Sequence, residues 1–299
     1  MKQSAFVSPY DSVDVCRPCL MSLVRQMAEG ATEDPVLRQQ AVEASEEVID
    51  RMFGPGVVPA RVATVFGRVI KEVTHCADPF AGRKEQEIFS ARRAMAQIVV
   101  ERDFDRLMEL SVAGNSVDYF LDPKEVAQEL VAPVEFVVDD RPAFREALEA
   151  VNRAGKEVFF LTDNASEAFF DWPLARFLAQ TGAKVVYAVK GGPVQNDCTL
   201  ADLAGAGLHP DGFEVLDNGT DAVGTDREQC ALEFWNRLME AGLILSKGMA
   251  NYETLRDTET PDILFLLKAK CQVNADLIGV PRGSYVALLR RATDGAASR

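Results

Sequence analysis

The chain has 299 residues, enough for two domains or one large one, and its 47% hydrophobic content supplies a full core. A formal charge of -14 argues against nucleic acid or an anionic membrane as partner, since a phosphate surface requires a basic face, but leaves room for a small phosphorylated molecule. No apolar run reaches membrane-spanning length and the first residues lack a basic-then-apolar leader, so a cytoplasmic protein is expected, with its six cysteines as thiols or metal ligands.

Residues 1–132 read as an all-helical domain. Leu20, Leu23, Val24 and Met27 recur at helical spacing, as do Val36, Val42, Val48, Ile49 and Met52. A third helix fits 62–73 and a fourth fits 85–110. Asp122 and Pro123 have the chemistry of an N-cap and a first helical turn, and open a fifth. Gly54-Pro55-Gly56 and Ala77-Asp78-Pro79 punctuate the run.

The texture changes after Pro133. Short apolar runs at 134–138, 158–161, 185–189, 213–216, 243–245, 263–267 and 285–289 read as strands. Between them, 141–154, 167–180, 200–206 and 227–241 read as helices, several ending at glycine. This alternation predicts a three-layer α/β/α domain over 133–299 with a mostly parallel sheet. The tail 292–299 is expected to be loose.

Two histidines, His75 and His209, are too few and too far from strand ends for a Ser-His-Asp, Cys-His or His-rich zinc site. Chemistry is therefore expected from carboxylates, a metal and lysine. Asp163 and Asn164 end the run Val158-Phe159-Phe160-Leu161-Thr162, and Asp197 ends the block Gly191-Gly192-Pro193-Val194-Gln195-Asn196. Open α/β sheets bind ligands beyond the carboxyl ends of their strands, so polar residues from two neighbouring strands converge there. Two carboxylates and an amide oxygen form a hard donor set suited to Mg2+ or Mn2+. The competing reading makes Asp163, Asn164 and Asp197 helix caps.

Lys247-Gly248-Met249-Ala250-Asn251 follows another strand, and a lysine beside a glycine at a helix start suits an anion. Asn218-Gly219-Thr220-Asp221 is either a tight turn or a wall of the same crevice, with Asp221 supporting the site. Glu167 would orient a metal-bound water or favour its own helix N-terminus. Gly114-Asn115 reads by itself as a helix stop. Cys16 and Cys19 are a buried thiol pair or half of a structural metal site with Cys76, His75 or Cys271.

The segments Leu161-Thr162-Asp163-Asn164-Ala165-Ser166-Glu167, 189–199 and 247–253 together resemble the metal-dependent damage-control phosphatases. That family was long catalogued as a domain of unknown function and is also called acidic-residue methyltransferase-like. Leu266-Leu267-Lys268-Ala269-Lys270-Cys271 and the Cys16/Cys19 pair are similar to its stand-alone prokaryotic branch. Gly114-Asn115 with Asp118 also resembles a family motif, which makes Asn115 a pocket residue. Ser166 stands where the family has glycine, which bears on the turn and not on the ligands. The resemblance implies a helical domain packed on an α/β/α domain and a divalent cation (Mn2+, Mg2+, Co2+ or Ni2+) on Asp163, Asn164 and Asp197. It also implies phosphate held by Lys247 to Asn251, and small phosphorylated metabolites such as sugar phosphates as substrates.

Asp163, Asp197 and Lys247 are accordingly the expected catalytic groups, and Asn115, Glu167, Asp221 and Asn251 the substrate contacts. Two other readings are a methyltransferase using S-adenosylmethionine and a non-catalytic phosphometabolite-binding protein. The missing Gly-X-Gly-X-X-Gly loop weakens the former.

Overall fold

The computed structural model describes residues 13–115 and 123–292. Asp118, Asp122 and the tail beyond 292 lie outside them. Six helices come first: α1 (Val13–Ala31), α2 (Pro35–Met52), α3 (Pro59–Thr74), α4 (Ala81–Met95), α5 (Phe104–Gly114) and α6 (Pro123–Val131). The single helix expected over 85–110 is two. Helix α4 already stops at Met95, and Asp103 starts α5 afresh by accepting from the N–H groups of Asp105 at 3.0 Å and Arg106 at 3.1 Å, a side-chain N-cap.

The second part alternates as β1 (Phe136–Asp139), α7 (Arg141–Ala154), β2 (Glu157–Leu161), a 3-10 turn (Ala165–Glu167) and α8 (Ala168–Gln180). It continues with β3 (Lys184–Val189), α9 (Leu200–Ala206), β4 (Glu214–Asp217), α10 (Leu232–Glu240), β5 (Leu243–Lys247) and α11 (Gly248–Leu255). The last elements are β6 (Ile263–Lys268), α12 (Gln272–Ile278) and β7 (Tyr285–Arg290). Helix α12 starts without an ordinary capping residue: its N-cap is a cysteine, Cys271, whose Sγ accepts from Asn274 N–H at 3.4 Å.

The sheet order is β1-β7-β6-β5-β2-β3-β4, parallel throughout except for the β6–β7 pair. Both faces are covered, which is why β2 reads as an unbroken apolar run. Val158 and Phe160 face one core with Tyr187, Leu245 and helices α7 and α8. Phe159 and Leu161 face the other with Ile244, Phe265 and α10.

The helical part divides between two further clusters. Helices α1 to α3 form one, capped by Val194 and Val223 of the sheet region. Helices α4 to α6 pack on Phe169 and Phe170 of α8, and Phe104, Leu107, Met108 and Val112 of α5 enter the core below the sheet. The expected boundary at 132/133 falls between α6 and β1. No helix among the described residues is long and apolar enough to cross a membrane.

The chain passes from β2 outward through β3 and β4, then returns to the other side of β2 as β5. The carboxyl ends of β2 and β5 are therefore a topological switch point, where open α/β sheets leave a crevice.

Candidate functional site

Two strand-end loops are stitched together above this crevice. Cys198 N–H donates to Asp163 O at 2.9 Å, Ala165 N–H to Asn196 O at 2.8 Å, and Asn164 and Asp197 form an isolated antiparallel bridge. The expected convergence of Asp163, Asn164 and Asp197 is thus written into the backbone. The third strand joins through Gly248, whose φ of +77° favours glycine and where a Cβ would lie 2.1 Å from Asp163 Oδ2.

Each of the three side chains has one atom committed and one oxygen spare. Asp163 Oδ2 accepts from Asn115 Nδ2 at 2.6 Å. Asn164 Nδ2 donates to Glu167 Oε1 at 2.5 Å. Asp197 Oδ2 lies 3.4 Å from the Lys190 ammonium. The other oxygens, Asp163 Oδ1, Asn164 Oδ1 and Asp197 Oδ1, accept no hydrogen bond among the described residues.

Burial, then the nearby charges of Glu167 and Asp197, push the Asp163 carboxyl up to about 8. Burial also raises Asp197, against the pull of Lys190. Burial therefore leaves both carboxyls poorly stabilised as anions, and the chemistry of the spare oxygens fits a hard divalent ion. Among the described residues no three His, Cys, Asp or Glu side chains group to hold a metal. At this crevice the third oxygen belongs to an asparagine.

Below the crevice lies a buried ion cluster. Lys247 Nζ donates to Glu167 Oε2 at 2.9 Å, Asp171 Oδ1 at 2.6 Å and Ser111 O at 2.9 Å. Lys247, Glu167 and Asp171 are fully buried. Burial opposes the ammonium charge, but Asp171 and Glu167 outweigh it and hold the Lys247 pKa up. Burial lifts Asp171 to about 6, while Lys247 pulls it down. Ser111 Oγ adds a bond to Asp171 Oδ1 at 2.6 Å.

Asn115, the C-cap of α5, donates to both Asp163 and Glu167. It reaches them because Gly114 lets α5 press on α8: a Cβ there would lie 2.8 Å from Phe170 Cδ2. The Gly114-Asn115 pair is therefore a close-approach device with a site residue attached, not a mere helix stop.

Three expected contacts are placed differently. Lys247 has all three protons spent inside the protein, so its side chain does not face the crevice. Asn251 is likewise a brace: its Nδ2 donates to Thr162 O and Lys247 O, both at 2.9 Å, and its Oδ1 accepts from Thr225 Oγ1 at 2.9 Å. Asp221 is paired with Arg68 at 2.7 Å and Lys71 at 2.9 Å, tying the loop after β4 to α3. Burial acts to raise its pKa, but those two cations hold it below the usual carboxylate range.

Several residues at the site escaped the sequence reading. Lys190 is buried, pairs with Asp197 and donates to the carbonyls of Ala222 and Gly224. Lys270, exposed on the loop after β6, lies near enough to favour the charged form of Asp163. Asp171 was legible: it stands one turn after Glu167 on the same helix face. Cys16 and Cys19 stand on α1. Their thiols are raised mainly by burial, with Glu253 adding to both and Cys271 to Cys16. All six cysteines are free.

A family model described as the damage-control phosphatase ARMT1-like domain matches residues 12–286. A damage-control phosphatase of Archaeoglobus fulgidus is 32% identical over 279 residues, spanning 91% of this chain and 97% of its own. The damage-control phosphatase PH1575 of Pyrococcus horikoshii is 29% identical over 282 residues, spanning 91% and 96%. The crystal structure of a DUF89 family protein from Pyrococcus horikoshii superposes with a TM-score of 0.82 at 28% identity, across 91% of this chain and 96% of that one.

Proposed function

The chain belongs to the damage-control phosphatase family, and on that premise we propose that it is a divalent-metal-dependent phosphomonoesterase for small phosphorylated metabolites, sugar phosphates among them. One observation carries the metal: three spare oxygens, from Asp163, Asn164 and Asp197, on loops that the backbone locks side by side. A divalent ion bound there neutralises charge on the phosphoryl group.

The chain's own groups do the rest. Lys247 to Asn251 serves phosphate through its backbone and not its side chains. Helix α11 starts with no side-chain cap, so the N–H groups of its first turn are open to phosphate oxygens, beside Asp163. Lys270 adds a full charge from the loop after β6. Asn115 and Gly248 hold the Asp163 carboxylate in one orientation for in-line chemistry.

A phosphometabolite panel assayed with Mn2+, Mg2+, Co2+ and Ni2+ tests the reading. Asp163→Ala and Asp197→Ala are each expected to lower kcat/KM on the order of a thousandfold and to weaken Mn2+ binding. Full activity in excess chelator, or in either variant, overturns the metal assignment. Methyl transfer from S-adenosylmethionine in place of phosphate release overturns the reaction.

A further inference from the structure

The ion cluster under the crevice does more than fill space. A carboxamide has one acceptor oxygen and one NH2 that only donates, and the two ends are nearly the same shape. Which end faces outward is decided by what faces inward. Glu167 Oε1 receives the Asn164 and Asn115 amides, each at 2.5 Å, and Glu167 Oε2 receives the Lys247 ammonium. An asparagine turned the other way would set its own oxygen against a buried carboxylate, acceptor on acceptor, with neither group satisfied.

Glu167 acts this way through both of its oxygens, and its surroundings hold it in place. Lys247 supplies the balancing charge, Asp171 and the Ser111 carbonyl hold Lys247, and Ser111 Oγ holds Asp171. Ser111 lies one helical turn before Asn115 on α5, so the same helix end anchors the bottom of the chain of bonds and receives its top.

We propose that Glu167, held by Lys247 and Asp171, is a positioning residue that sets the flip of the Asn164 amide, so that an oxygen and not an NH2 is offered to the cation. The inference rests on the metal site proposed above. It gives Lys247 and Glu167 a role behind the ligands instead of on the substrate.

The test exchanges donor and acceptor across the contact. In Glu167→Gln the new Oε1 goes to Lys247, so an NH2 faces the asparagines and Asn164 turns its own NH2 outward. Mn2+ affinity, measured by calorimetry on metal-free protein, is expected to fall about 10- to 100-fold. The visible absorption of bound Co2+ should change with the lost oxygen donor. Asn164→Asp alone sets two carboxylates against each other and also weakens binding. The double variant Asn164→Asp/Glu167→Gln restores one donor, one acceptor and the original net charge. Its affinity is expected to be at least about tenfold above that of either single variant, a strongly non-additive cycle.

A Glu167→Gln protein that binds Mn2+ like the wild type overturns the inference, as does a double variant no better than the singles. Should Glu167→Gln fail to fold, the double variant against Asn164→Asp decides. Wild-type protein that binds no divalent ion defeats the metal reading and this inference together. Wild-type binding with an additive cycle defeats the inference alone.

Discussion

The rim of the crevice and the ion cluster a few ångströms beneath it are built from the same kinds of residue, yet they are in opposite conditions. Beneath, Lys247 has three partners for three protons, and Asn251 uses both ends of its amide. At the rim, Asp163, Asn164 and Asp197 each keep an unspent oxygen, and two of the carboxyls are pushed up, chiefly by burial. Lys247 and Asn251 are thus spent inside the scaffold, while the spare rim oxygens mark where something else is expected to bind. Residue type alone does not separate the two: a lysine at a strand end belongs to the saturated set here.

The contrast is broken most forcefully at Lys247. Lys247→Met strands Glu167 and Asp171 as uncompensated buried charges, and should cost about 3–5 kcal/mol of stability or prevent folding. Asp163→Asn at the rim should do the opposite to the metal-free protein. It relieves repulsion with Glu167 and Asp197, so the melting temperature holds or rises while activity is lost. Equal destabilisation in both variants, measured by denaturant titration, would erase the distinction.

A pH series sharpens the same point with a smaller effect. The Asp163 carboxyl sits at about 8 in the fold against 3.8 for an unperturbed aspartate. A raised carboxyl means that the folded chain keeps a proton the unfolded chain has released. Metal-free stability from this group is therefore present at low pH and is lost as pH climbs from about 4 through about 8. A divalent ion competes with that proton, so the Mn2+-induced gain in melting temperature should grow across the same window. Parallel melting profiles with and without Mn2+ would contradict this.

The sequence made much of this legible, for identifiable reasons. Strands β2, β3 and β5 are apolar on both faces and could hardly be anything else, and Asp163 and Asp197 stand out by their shared position at strand ends. The aim of Lys247 was also available in principle. Side chains alternate along a strand, and Lys247 has the parity of Leu243 and Leu245, which face α8. Period two thus sends it under the crevice to Glu167 and Asp171. Asn251 gave no such signal, because its partners Thr162 and Thr225 lie on segments whose approach only the fold creates. The start of α5 was carried by Asp103, a cap hidden inside an otherwise plausible helical run.

The mildest test concerns Lys270, a cation whose charge Asp163 senses from an exposed position. Lys270 is placed by the end of β6, and Asp163 senses its charge. If the rim is where phosphate docks, Lys270→Met removes one charge-assisted contact to it, worth about 1.5–3 kcal/mol. KM for a phosphometabolite should rise about 10- to 100-fold while the melting temperature stays put, since an exposed lysine supports no core. Salt should then inhibit the wild type more than the variant, because screening weakens only an interaction that is present. An unchanged KM with an unchanged salt response would move phosphate recognition wholly onto the backbone amides of α11, and the rim would owe its anion affinity to geometry and metal alone.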